Sequence, residues 1–250
     1  MKTMRKVSFK LMLGAIALII GASMFFSYQR KESKPASAPL VIRSVESGDS
    51  IPIEEATIFL LNEKNGMYDD CDCTQNVPVI VGENGHSLLG DLYLYSQAPA
   101  TVLAYSPYHM DAKVDSIPWN LYWNDDLLVS DPCTATSHRN HVDLKFRRAM
   151  GSLCLFMDEE ITGDVILEGD FPQEGTYNLL SGAFTVSHSE KKITLSDYPL
   201  LNLIPGQYKD VTVSYGMRKY KLDIPITAGH VTMVTIDEHS SQPVVEVFNW

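Results

Sequence analysis

The sequence has 250 residues, enough for one large or two modest domains with a sizeable core, and 45% of it is hydrophobic. It carries 31 acidic against 20 basic residues, a net charge of −11, and seven of the basic residues fall within positions 1–34 beside a single Glu. The other 216 residues stand at −17, which argues against nucleic acid and anionic membrane as partners of the folded part, since both need basic patches.

Lys2, Arg5, Lys6 and Lys10 precede an apolar run from Leu11 to Phe26, the pattern of an export signal. Gly21-Ala22-Ser23 offers small residues to a signal peptidase. The alternative is an uncleaved anchor, for which 16 residues are short against about 30 Å of hydrocarbon. Residues 1–27 are therefore expected to be a signal peptide or membrane anchor, the one part of the chain that meets a membrane. Residues 28–39, polar with Pro and Ser, have the composition of a linker.

From Leu40 the chain reads as strands. Leu40–Val45, Ala56–Leu61, Val77–Val81, Leu88–Tyr95 and Thr101–Tyr105 form a first group, with an Asn84-Gly85 hairpin signal inside it. Ala56–Leu61 is apolar on both faces and should be central. Asp125–Thr134 is polar and turn-rich, a connector. Val142, Leu144 and Phe146 then alternate with Asp143, Lys145 and Arg147, but Arg148 falls where an apolar residue is due. Leu153, Leu155 and Met157 resume on the opposite parity, so an inserted residue near Arg147–Gly151 should flip the face. Seven short strands follow at roughly ten-residue spacing. No sustained helical period appears before Trp119, and 15 Gly and 13 Pro leave no room for long helices after it. The expected class is all-β, as antiparallel β-sandwich.

Motifs for catalysis are missing: there is no Gly-x-Ser-x-Gly, phosphate-binding loop or His-Glu-x-x-His. His138 and His141 lack a third ligand at a suitable spacing, and Asp69–Asp72 and Asp158–Asp164 lack the twelve-residue calcium pattern. The expectation is a non-enzyme with no cofactor and no metal. Cys71-Asp-Cys73 is a strained pair to bridge internally, Cys154 sits at a strand position, and Cys133 lies in the connector. Their disulfide state stays open. The loop Asn62–Asn76, with its Asp cluster and paired Cys, is the feature to watch for a ligand. Trp119, Tyr122 and Trp123 cluster before the connector, where aromatics either seal two packed bodies or form a surface platform for sugars and proteins.

Several phrases carry a resemblance. The block Asp126–Met157, Ala104-Tyr-Ser-Pro-Tyr108, Ile204-Pro-Gly-Gln207, Pro225-Ile-Thr-Ala-Gly-His230 and the closing Val244-Val-Glu-Val-Phe-Asn-Trp250 occur in order over about Ile58 to Trp250. Together they resemble the fimbrillin-like family of Bacteroidetes, the subunits of type V pili. No Cys precedes Cys71, so the lipid-attachment motif of many relatives is missing. The resemblance implies two tandem transthyretin-like antiparallel β-sandwiches, at 40–125 and 142–250, joined by a connector at 126–141. It implies an exported protein of the cell surface, outer membrane or fimbrium. Its partners would be other pilus subunits or ligands on host or bacterial surfaces. In polymerising relatives a protease removes an N-terminal strand and a neighbour's strand fills the groove. Arg43 is the candidate processing site, its alternative being an exposed strand residue. Val244, Val245, Glu246, Val247, Phe248 and Trp250 form the candidate donor or sheet-completing strand. The second reading of function is a cell-surface carbohydrate-binding module using the aromatic cluster.

Overall fold

The computed structural model describes residues 37–48, 53–82, 87–89, 92–95, 98–157, 163–195, 200–237, 239–240 and 242–250. The leader, nearly all of the linker, the Asn84-Gly85 signal and most of Asp158–Asp164 lie outside the described residues. In chain order come β1 (Ala38–Pro39), β2 (Val41–Ser47), β3 (Glu55–Leu61), two 3-10 turns η1 (Tyr68–Asp70) and η2 (Asp72–Thr74), β4 (Val77–Val81), β5 (Ser87–Leu89), β6 (Tyr93–Leu94) and β7 (Ala100–Ser106). Then follow β8 (Ile117–Asn120), a third turn η3 (Leu121–Trp123), β9 (Leu128–Ser130), β10 (Cys133–Ala135) and β11 (His141–Arg148). The second half supplies β12 (Gly151–Met157), β13 (Val165–Asn178), β14 (Ala183–Leu195), β15 (Leu201–Leu203), β16 (Gly206–Tyr215), β17 (Arg218–Ile226), β18 (His230–Ile236) and β19 (Val244–Asn249). The chain is all-β.

The first sheet runs β2-β11-β9-β7-β3-β4-β5, with β10 added on β7. Its central strand β3 is buried on both faces, as its unbroken apolar run requires. Ile58 and Leu60 join a smaller apolar cluster with Leu40, Ile42, Val102, Leu144 and Phe146. The Leu40 amide donates to the Leu92 carbonyl (2.7 Å) and β1 pairs with β6, which draws the two ends of the sheet together around that cluster. The other face of β3, Phe59 and Leu61, belongs to a larger cluster with Leu103, Tyr105 and Val129. That cluster continues through the second half. There the sheet β15-β12-β18-β19 supplies Leu153, Leu203 and Val234, and the sheet β14-β13-β16-β17 supplies Leu167, Phe171 and Val213. The larger cluster thus crosses the connector.

Three features differ from the sequence expectation. First, β11, placed at the start of the second sandwich, lies in the first sheet between β2 and β9. The face flip near Arg147–Gly151 is a change of sheet: the chain turns at Ala149–Met150 and enters β12 in another ladder. Second, the ladders are not all antiparallel, since β2 pairs with β11 and β12 with β18 in parallel. Both pairs join strands far apart in sequence, and a parallel pair needs a long crossover. Third, β8 from the first half pairs with β13 of the second, Trp119 opposite Gly175.

Candidate functional site

Two strand edges and one aromatic group hold the residues singled out by sequence. At the first edge, β2 turns Ile42 inward (3% exposed) and Arg43 outward, the alternation of a half-buried strand. Arg43 Nε donates to Asp143 Oδ1 (2.8 Å), Nη2 donates to Asp143 Oδ2, and the Ser44 hydroxyl donates to Asp143 Oδ1 (2.8 Å). The guanidinium bond, then the hydroxyl, hold the Asp143 carboxyl down to about 2. A protease acting after Arg43 needs an extended chain and a free guanidinium. In the folded chain the strand is hydrogen-bonded to β11 and the guanidinium is engaged, so cleavage requires β2 to peel away.

The second edge is β19, antiparallel to β18 with Val245 opposite Val234. Val245 is half-buried against the larger cluster, while Val244, Glu246, Val247 and Phe248 are exposed. The chain end is held differently. Trp250 lies over the Arg148 guanidinium, 3.6 Å from the ring centroid. Arg148 Nη1 stands 3.0 Å from Asp126 Oδ2 and only 8% of the side chain is exposed. Arg148 therefore ties together the connector, the turn between the sheets and the C-terminus. Its place in the sequence, an Arg at an inward position, was the one signal of this arrangement.

The aromatic group splits. Trp119 is buried in β8 (4% exposed), edge-on to Phe184, because β8 pairs with β13 and points the indole into the larger cluster. It is not a surface residue, which corrects the platform reading at that position. Tyr122 and Trp123, on η3, are exposed at 62% and 51%. The Tyr122 hydroxyl donates to Glu190 Oε2, and Trp123 stacks on His109 (centroids 5.2 Å), which stacks on Tyr105 (6.4 Å). Asp125 lies 3.8 Å from His109. Burial lowers the His109 pKa more than Asp125 raises it, and burial also raises that of Asp125.

Cys71 and Cys73 are joined by a disulfide. Extended backbone at Cys71 followed by the turn Asp72–Thr74 sets their Cα atoms 5.2 Å apart, within the range a bridge needs. Cys133 and Cys154 are free and half-buried. No group of three His, Cys, Asp or Glu among the described residues could hold a metal, and no described helix is long and apolar enough to cross a membrane.

The architecture defines the class first: an all-β protein of packed, mostly antiparallel sheets, offering strand edges and exposed rings. A family model described as fimbrillin-like matches residues 43–247, and the chain belongs to that family. Solved structures with the same fold include a candidate cell adhesion protein of Bacteroides uniformis, 16% identical with a TM-score of 0.63, covering 86% of this chain and 99% of that one. A second, from Bacteroides ovatus, is 13% identical with a TM-score of 0.62 and the same coverage. A third, from Bacteroides thetaiotaomicron, is 17% identical with a TM-score of 0.53, covering 84% and 97%. No curated protein matches the sequence.

Proposed function

We propose that the chain is an exported pilus or adhesion subunit of the cell surface that assembles by passing strands between copies. In this reading residues 1–27 are the export segment and 28–39 the linker. Two transthyretin-like sandwiches follow, the first running through β11 and so taking in the connector, and the second beginning at β12. No catalysis, cofactor or metal takes part. One observation carries the reading: β2 is an edge strand whose Ile42, with Leu40 just before the strand, fills the smaller cluster directly before an exposed arginine. Cleavage after Arg43 removes those two side chains and leaves His141 and Val142 of β11 without their strand partners, while Ser44–Ser47 stay paired with Asp143–Phe146. Such an apolar slot is costly alone and is satisfied by an alternating segment of another chain. The partners are then other pilus subunits. N-terminal sequencing of the extracellular form is expected to begin at Ser44, and Arg43→Gln to keep the longer form. A start near Met24 overturns the Arg43 site.

A second reading, binding of surface carbohydrate, is favoured by the exposure of Tyr122 and Trp123. Aromatic faces stack on sugar rings, and the acidic surroundings disfavour anionic glycans. Trp123→Ala is expected to leave stability within about 0.5 kcal/mol of the parent. It should remove any hit on an array of neutral glycans. A hit that survives Tyr122→Ala and Trp123→Ala together would place binding elsewhere.

A further inference from the structure

The loop Asn62–Asn76 takes no part in either strand edge, yet it carries the molecule's disulfide and four of its carboxylates, Glu63, Asp69, Asp70 and Asp72, against a single Lys64. We propose that the Cys71–Cys73 disulfide is a thiol-exchange site, open to small neutral or cationic thiols and dispensable for the fold.

The loop does not depend on its bridge. Asn62 Oδ1 accepts from the amides of Lys64 (2.9 Å) and Gly66 (3.0 Å). Tyr68 is buried (1% exposed), and the Thr74 hydroxyl donates to the Cys71 carbonyl (2.7 Å). Gln75 Nε2 donates to the Leu60 carbonyl of β3 (2.8 Å), and Asn76 Nδ2 to the His109 carbonyl (2.9 Å). The two cysteines are two positions apart. Chain-entropy stabilisation grows with the length of the closed loop, so a bridge this short constrains the unfolded chain least. The disulfide adds little that these hydrogen bonds do not already supply.

The two sulfurs also differ. Cys73 is exposed and Cys71 half-buried, and the Cys73 amide donates to Cys71 Sγ (3.3 Å). An incoming thiolate therefore reaches Cys73. A bond forms between its sulfur and Cys73 Sγ as the Cys73–Cys71 bond breaks. The electron pair goes to Cys71, where the N–H stabilises the thiolate until water protonates it. A second thiolate then attacks the outer sulfur of the mixed disulfide and releases Cys73. In balance, two small thiols are oxidised to their disulfide and the protein bridge is reduced to two thiols. The exposed Asp69 and Asp72 repel anionic thiols and favour cationic ones. Cys133 does not compete, since burial and the carboxylates of Asp131 and Asp143 raise its thiol pKa.

The test treats the folded chain with millimolar cysteamine or glutathione, quenches with acid, alkylates and maps peptides by mass. The expected first product is an adduct on Cys73, then the open dithiol, with the melting temperature unchanged. At matched thiolate concentration, cysteamine should react several-fold faster than glutathione at low salt. The ratio should fall toward one at about 1 M salt, where the Debye length is about 3 Å. Cys71→Ser with Cys73→Ser should melt with the parent and take no adduct in this loop. A bridge that stays closed in the folded protein, a first adduct on Cys71, no preference for the cationic thiol, or a double variant that fails to fold each overturns the proposal.

Discussion

Deleting residues 244–250 is expected to abolish multimers while the monomer still melts cooperatively. The monomer gives up little. Val245 is the one residue of β19 that packs on the core, and half-burying a valine is worth about 1 kcal/mol. Trp250 over Arg148 adds about 1 kcal/mol for a partly exposed cation–π pair. Arg148 keeps its Asp126 partner when the indole goes, so no buried charge is stranded. A loss of about 2 kcal/mol is survivable for a protein stable by about 5–15 kcal/mol. In a neighbour's groove the same strand does more, because Val245 and Val247 share a face and each fully buried valine contributes about 1.5–3 kcal/mol. Trp250→Ala alone separates the two roles, since it frees the chain end but keeps the alternating strand: multimers should persist with a small drop in melting temperature. Size-exclusion chromatography with light scattering reads the assembly and calorimetry the fold. A truncated chain that no longer folds makes β19 a sheet-completing strand, and multimers that survive truncation remove it as donor.

The same residues show how far the sequence could be read. The double-faced burial of β3 and the outward Arg43 followed from local patterns, because a period of two or an unbroken apolar run reports how many faces are covered. Arg148 was visible as an exception and turned out to mark the change of sheet. Membership of β11 was not legible. Its alternation fits any half-buried strand, and its partner β2 is about a hundred residues earlier and parallel to it, as Asp143 opposite Ser44 illustrates. Trp119 and Trp123 stand four positions apart in one aromatic stretch, yet one is core and the other surface. Only the long-range pairing of β8 with β13 decides between them, and no local pattern encodes it. The clasp of Trp250 on Arg148 is of the same kind, a contact between distant parts of the chain.

That change of sheet is also a place where one methyl group should do severe damage. Gly151→Ala is expected to destabilise by about 3 kcal/mol, the upper part of the range for overpacking. A Cβ there would stand 2.3 Å from the Thr227 carbonyl oxygen and 2.8 Å from Ile226 Cγ2. The carbonyl has no room to retreat. It accepts from the His230 amide (3.1 Å), and the same turn donates from Gly229 to the Met150 carbonyl (2.9 Å), so backbone on both sides is held. Gly151 is the first residue of β12, opposite Leu203 of β15, and Ser152 next to it opens the parallel ladder to β18. A shift at this point is passed to β18 and through it to β19. At about 2–4 °C per kcal/mol for a chain of this size, melting should fall by about 10 °C. Gly206→Ala is the control, since a Cβ there meets nothing within 4 Å and its cost should stay under about 1 kcal/mol. If Gly151→Ala melts with the parent, the two backbones do not approach as closely as this crossing requires. Arg148 and its Asp126 partner would then be left to hold the turn between sheets without a tightly packed strand beside them.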